Sequence, residues 1–328
     1  MDRKYPELIV EIEITEGKNR VDQLLLAKLK VEFPDLSRST LKKLFKDKHI
    51  SLGNRLLSAS TELRPGHYKI KISPWEEAIV KKPLAVPSEK GCFLNIIYED
   101  DELLILDKKS GVPSIPHSSS ETETAVNAAL AHSPSLKNVG RQGLEPSIVH
   151  RLDTGTSGVL VFAKNNETFE TLKVLWKTDQ IRKEYRAIVR THKTQATHPA
   201  PPAKRSINYP IAHDAESAKK MVAVTEEVKS GAKKNRKTRG KHQEAVTEIL
   251  KTKKLRDDMY DVHVEIKTGV MHQIRCHLSA LGWPVLGDNV YKGIPASRLW
   301  LHAWRITLPL SSGKSLTVQS ELPQNWPT

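Results

Sequence analysis

His150-Arg151-Leu152-Asp153-Thr154-Gly155-Thr156-Ser157-Gly158 runs without a break into Val159-Leu160-Val161-Phe162-Ala163-Lys164. The first half is a polar, glycine-bearing turn that sets a carboxylate beside an arginine. The second half is an apolar run of strand length. A loop fixed to the end of a rigid strand is where catalytic groups tend to sit. An isolated Asp-Thr-Gly is most simply a capped turn. What raises this one above that reading is its length and a second block, Gly269 to Gly293, that carries His272-Gln273-Ile274-Arg275 and Gly287-Asp288-Asn289-Val290-Tyr291.

Working outward, the residues after the turn predict a helix, with Phe169, Leu172 and Trp176 at i, i+3, i+7. A strand follows over Glu184–Arg190, in which Tyr185, Ala187 and Val189 share one face and Arg186, Ile188 and Arg190 the other. Residues 191–245 read as looser, with an insertion at about 226–243. Within it, 229–241 holds seven Lys/Arg and no acid, a composition that is usually disordered and solvated. Val262, Val264 and Ile266 alternate with His263, Glu265 and Lys267 as a strand. Ile274, Leu278 and Leu281 mark a helix that Gly282 ends. Leu299–Leu308 and Leu316–Val318 supply the last strands. Toward the N-terminus, two apolar runs flank Asp100-Asp101-Glu102 as a hairpin between Ile96 and Leu106, and Thr124–Leu130 reads as a short helix.

The first 74 residues read as a separate module. Val21, Leu24, Leu25 and Leu29 recur at near-helical spacing. Ser37 is placed to cap a second helix carrying Leu41, Leu44 and Phe45. Arg38, Lys42 and Lys46 line one face of that helix. Ile50–Leu52 with Gly53-Asn54 is a strand and turn, and Tyr68, Ile70 and Ile72 alternate as a half-buried strand. The expected organisation is a module over 1–74, a Pro- and Gly-bearing linker over 75–94 and a large domain over 95–328.

Composition narrows the class. The chain has 328 residues, with Lys+Arg 52 against Asp+Glu 38, a net charge of +14. Such a surplus favours a polyanion partner, nucleic acid or a membrane surface. No apolar run reaches the roughly 18 residues of a membrane-spanning helix. Met1-Asp2-Arg3-Lys4-Tyr5-Pro6 lacks the apolar core of a signal peptide. Cys92 and Cys276 give no disulfide framework. A cytoplasmic protein is expected. His150, His272, Cys276 and His277 do not make a zinc set, because Cys276 and His277 are adjacent on a helix and point apart; no metal is expected.

The two blocks, with Lys183-Glu184-Tyr185-Arg186-Ala187 between them, resemble the RluA-type pseudouridine synthases over Ile96–Pro323. The resemblance implies an α+β fold, an extended and largely antiparallel mixed β-sheet flanked by helices and loops. It implies isomerisation of uridine to pseudouridine within structured RNA. That reaction breaks the bond between base and ribose, turns the base while it is held, and joins a carbon to the sugar. It has no redox step and no net hydrolysis, so neither a metal nor a nucleotide cofactor is demanded, and one carboxylate is the minimum equipment. The carboxylate can attack covalently or remove a proton. The target base must first be flipped out of the folded RNA.

By that resemblance Asp153 is the essential carboxylate, and Arg275 pairs with it and stabilises its charge. Tyr185 stacks on the flipped base and assists proton transfer. Arg151 fills the gap left by the base. His150, Thr156, His272 and Gln273 are placed among the residues that line the pocket or contact RNA. Asp288 belongs to a family landmark read as structural. The N-terminal module resembles the RNA-binding domain named after the S-four ribosomal protein, which gives Arg38, Lys42 and Lys46 the task of meeting phosphates. The chain departs from the family at Val270-Met271, where Arg-Thr is usual, at Asp107 and Lys109, where Asn and Pro are usual, and at Gly53-Asn54, where the order is usually reversed. The implied substrate is large-subunit ribosomal RNA, with transfer RNA second, acted on by a monomer. The rivals are an inactive RNA-binding or ribosome-assembly factor on the same scaffold, and a glycosidic hydrolase. The hydrolase usually needs a second carboxylate that no motif supplies.

Overall fold

The computed structural model describes residues 7–33, 36, 38–73, 84–88, 94–191, 200–226, 238–256, 258–310 and 313–327. Ser37, Cys92 and residues 229–237 of the basic stretch lie outside them. The chain forms two compact units, Met1–Pro83 and Leu84–Thr328. Among the described residues no helix is long and apolar enough to cross a membrane.

The first unit comprises β1 (Leu8–Ile14), β2 (Asn19–Arg20), α1 (Val21–Glu32), α2 (Arg38–Lys46), β3 (Ile50–Leu52), β4 (Arg55–Leu56), β5 (Glu62–Leu63) and β6 (Gly66–Ile72). A sheet in the order β1-β6-β3-β4 packs with both helices around Val10, Ile12, Leu25, Leu41, Leu44, Ile50 and Ile70. β1 was not foreseen. Its Val10, Ile12 and Ile14 are buried while Glu11 and Glu13 are exposed, but the exposed Ile9 blurs the alternation. On α2, Leu41, Leu44 and Phe45 face the core, and Arg38, Lys42 and Lys46 stand exposed. The Gly53-Asn54 turn works because Gly53 takes a left-handed conformation at φ 56°.

The second unit begins with β7 (Ile96–Glu99), β8 (Leu103–Lys108), α3 (Ala125–His132), β9 (Ser157–Ala163), α4 (Asn166–Lys177) and β10 (Arg182–Arg190). It continues through β11 (Arg205–Ile207), β12 (Ile211–Asp214), β13 (Met221–Ala223), β14 (Thr238–Gln243), β15 (Thr247–Arg256), β16 (Met259–Ile266), α5 (Gln273–Ala280), β17 (Leu301–Pro309) and β18 (Ser315–Gln319). A nine-stranded sheet runs β11-β15-β16-β10-β17-β9-β8-β7, with β18 beside β17. Its ladders are antiparallel except β9 against β17. The fold is therefore α+β with a mostly antiparallel sheet, as expected.

β9, the strand that follows the Asp153 turn, is its pillar: all seven residues are buried. Leu160 and Phe162 enter one core with Leu106, Val126, Tyr185 and Val264. Val159 and Val161 enter the other with Phe169 and Leu172 of α4. Burying both faces of one strand removes roughly 1.5–3 kcal/mol of apolar exposure per large side chain, which fixes the turn at its N-terminal end.

Two expectations are corrected here. The stretch 191–245 is not simply loose: it contains β11 to β14, and β12, β13 and β14 form a separate three-stranded sheet. Thr238–Gln243, at the end of the insertion expected to be disordered, is ordered strand. Its side chains are mostly exposed, and what holds it is backbone pairing with β12, which composition does not record. The linker also ends earlier than expected. Asn127 Nδ2 donates to Val86 O at 2.6 Å, and the Ala85 amide donates to Gly143 O at 2.9 Å, so 84–88 packs on the second unit.

Candidate active site

The Asp153 turn is fastened from below by the chain that leaves β8. Ser114 Oγ donates to Leu152 O at 2.8 Å and accepts from the Leu152 amide at 2.9 Å. Ser110 Oγ donates to Gly155 O at 2.7 Å, and the Gly111 amide donates to Thr154 O at 2.8 Å. Lys108, nearly fully buried, donates through Nζ to Val112 O at 2.6 Å, Lys109 O at 3.1 Å and Thr154 O at 3.2 Å. Burial pushes its pKa down to about 7 against the opposing pull of Asp153. The turn closes on itself through the Thr156 amide and Asp153 O, 3.0 Å.

Arg275, on α5, reaches this turn. Its Nη1 donates to Asp153 Oδ2 at 2.8 Å, while Nε and Nη2 donate to Asp288 Oδ2 and Oδ1 at 2.7 and 2.9 Å. Burial works to lower the pKa of the guanidinium but is outweighed by Asp288 and Asp153, which leave it above its ordinary value. Asp288 is itself fixed: its Oδ1 accepts from the Val290 and Tyr291 amides at 3.1 and 3.2 Å. Asp153 is a quarter exposed, and among the described residues only its Oδ2 has a side-chain donor. Oδ1 has none among them.

Tyr185, on β10, is buried on the same sheet face as Ala187 and Val189. Burial first, and the Asp153 charge second, raise its phenol pKa, so the hydroxyl keeps its proton at neutral pH. Arg275 therefore contacts Asp153 directly, and Tyr185 lies within its electrostatic reach.

The remaining expected residues divide. Arg151 is exposed, and among the described residues a 3.2 Å contact to Glu145 is its one tether, a weak one. His272 sits 3.8 Å from Asp153 Oδ2 through its Nε2. His150, Thr156 and Gln273 are tied into the scaffold. His150 Nε2 accepts the Val161 amide at 3.1 Å and its ring stacks on Trp176 at 4.5 Å, so the imidazole holds β9 to α4. Thr156 is buried under the turn. Gln273 spends its amide on Thr268, Val270, Val246 and Thr247, tying the start of α5 to β15. A polar residue inside a motif can serve the scaffold as readily as the ligand, and only geometry separates the two.

Sequence reasoning passed over Lys108, Ser114 and Tyr291. The signal for Lys108 was a lysine closing the apolar run Leu103–Leu106 just where the chain turns at Ser110-Gly111. Among the described residues no cluster of His, Cys, Asp and Glu has the arrangement of a metal site.

Comparison with known proteins gives these residues a context. A family model described as RNA pseudouridylate synthase matches residues 102–280. An uncharacterized RNA pseudouridine synthase of Aquifex aeolicus is 32% identical over 86% of this chain and 80% of its own length. Ribosomal large subunit pseudouridine synthase D of Buchnera aphidicola is 30% identical over 82% of this chain and 75% of its own. The enzyme of the same name from Borreliella burgdorferi is 33% identical over 70% and 66%. Among solved structures, human RNA pseudouridylate synthase domain containing 1 superposes with a TM-score of 0.53 at 21% identity, over 70% of this chain and 84% of that one, a likeness of fold.

Proposed function

The chain belongs to the RNA pseudouridylate synthase family, an isomerase family that converts uridine to pseudouridine in RNA, and on that premise we propose that Asp153, Arg275 and Tyr185 perform the reaction here. The observation that carries this reading is the division of labour on Asp153. Arg275 occupies Oδ2 and leaves Oδ1 open. A carboxylate fixed on one side and free on the other is positioned to act on the ribose or on a proton of the base, in a geometry set before the substrate arrives. Tyr185 offers an aromatic face for the flipped uracil and a protonated hydroxyl. Arg151, weakly tethered at the surface, is free to swing into the space the base vacates.

The substrate we propose is large-subunit ribosomal RNA. The support is that the Buchnera and Borreliella relatives are named as large-subunit pseudouridine synthases. In the first unit, the exposed Arg38, Lys42 and Lys46 on α2 are proposed to meet phosphates, as the net charge of +14 favours. The enzyme acts as a monomer without a nucleotide cofactor, since one chain supplies the carboxylate, guanidinium and phenol. The test is incubation of the purified protein with protein-free large-subunit ribosomal RNA and, separately, transfer RNA, followed by mapping of pseudouridine. New pseudouridine in the ribosomal RNA supports the proposal. Modification confined to transfer RNA overturns the substrate, and RNA binding with no pseudouridine in either overturns the chemistry.

A further inference from the structure

His272 is held more tightly than a residue lining a pocket requires. It adopts the left-handed conformation, φ 56° and ψ 18°, at the start of α5, a strained choice for a residue with a side chain. Its ring meets the Tyr291 ring edge-on at 5.7 Å, and its Nδ1 lies 3.1 Å from the Tyr291 hydroxyl. Tyr291 is buried, with its ring 5.3 Å from the Arg275 guanidinium carbon and its amide on Asp288. Burial raises its phenol pKa, so the hydroxyl carries its one proton.

The proton inventory at that hydroxyl decides the state of the histidine. The hydroxyl oxygen already accepts from the Met221 amide at 3.0 Å. His272 Nδ1, 3.1 Å away, is the acceptor placed against its hydrogen. A neutral imidazole that accepts at Nδ1 bears its hydrogen on Nε2. Burial disfavours the charged ring, against the pull of Asp153 and with the push of Arg275. Nε2 lies 3.8 Å from Asp153 Oδ2, beyond hydrogen-bond range, and that oxygen is already bound to Arg275. Among the described residues Nε2 has no hydrogen-bond acceptor. It is a donor in a fixed direction beside the carboxylate, unused in the free protein.

We propose that Tyr291 is a positioning residue that locks His272 in its Nε2–H form, and that this N–H donates to a carbonyl oxygen of the uracil while the base is detached. The inference rests on the reading that the Asp153 pocket receives the flipped uridine. When the N1–C1′ bond breaks, its electron pair leaves with the base and spreads onto the two carbonyl oxygens. A preset neutral donor there stabilises the charge without giving up its proton. A group within 4 Å of Asp153 reaches whatever docks against that carboxylate.

Two measurements test this. Nitrogen-15 spectra of histidine-labelled free protein, assigned with His272→Gln, report the tautomer directly. The expected result is Nε2–H in the native chain and a mixture in Tyr291→Phe, which keeps the ring against Arg275 and removes only the hydroxyl. In single-turnover assays on ribosomal RNA, His272→Ala is expected to slow the reaction by roughly 100-fold and Tyr291→Phe by roughly 10-fold, with RNA affinity within about twofold, in line with loss of an oxyanion donor. His272→Gln, whose amide can still donate, should recover part of the rate. The double variant should be no slower than His272→Ala alone. An Nδ1–H tautomer in the native chain, or a Tyr291→Phe enzyme at full speed, overturns the inference. Native protein that binds RNA and never modifies it overturns the Asp153 reading instead, and the tautomer result stands apart from that outcome.

Discussion

Arg275 grips Asp288 with two of its nitrogens, Nε and Nη2, and so has a fixed third, Nη1, to offer elsewhere. That spare donor is the one on Asp153. A fully buried carboxylate therefore sets the direction of the Asp153–Arg275 pair. Asp288→Asn keeps the shape but loses the charge and one of the acceptors. The expected result is a fall in turnover of roughly 10- to 100-fold. The melting temperature should fall too, because Asp288 also accepts two backbone amides. Steady-state kinetics and a thermal melt check this, and unchanged turnover would show that Asp153 alone positions Arg275.

Tyr185 separates its ring from its hydroxyl under mutation. Burial and the Asp153 charge hold the phenol protonated, so it can donate at neutral pH but is not a standing base. Tyr185→Phe is expected to keep most substrate affinity and lose about tenfold in turnover, the low side of general acid–base effects. Tyr185→Ala should lose roughly 100-fold or more. Equal losses in the two variants would mean that the ring contributes nothing beyond the hydroxyl.

Gly158 sits where β9 enters the sheet beside β17, at φ 110°, and a Cβ there would lie 2.1 Å from the Ala303 carbonyl oxygen. Neither the conformation nor the space admits alanine. Gly158→Ala is expected to destabilise the second unit by about 3 kcal/mol or more, read from denaturant unfolding. Activity should fall with it, since the Asp153 turn is built on the end of that strand.

Two histidines, His150 and His302, give a pH signature. Burial, helped by the Lys183 charge, brings His150 down to about 3. Burial brings His302 down to about 4, against the carbonyls of Ser320 and Glu321. Between these values and the ordinary imidazole pKa of about 6.5, the unfolded chain binds protons that the folded chain does not. Stability is full above that value and falls as pH drops through it, at up to about 1.4 kcal/mol per unit for each ring. Proton spectra should show both rings neutral and unchanging from pH 7.5 to 5. Titration of His150 in that window would contradict its place between β9 and α4.

The sequence made several strands and helices of the second unit legible, because β8 is a continuous apolar run, β10 and β16 alternate in residue type and α4 spaces its apolar residues at helical period. It also made Asp153, Tyr185 and Arg275 legible, through motifs. It did not show β14 or β15. The first has mostly exposed side chains, and the second exposes Lys251, Lys253, Lys254 and Arg256 along its outer half, so backbone pairing rather than an apolar face holds them. Nor could it tell His272 from Gln273. The two are neighbours, yet α5 turns one toward Asp153 and the other into the scaffold.

The most direct measurement is a pseudouridine map of ribosomal RNA treated with native protein and with Asp153→Asn, alongside an RNA-binding assay for both. The expected result is pseudouridine at defined uridines with the native chain, a loss of at least about 1000-fold with the variant, and equal binding, a rate difference of about 4 kcal/mol in the barrier. Pseudouridine formed by Asp153→Asn at a comparable rate would contradict the account at its centre.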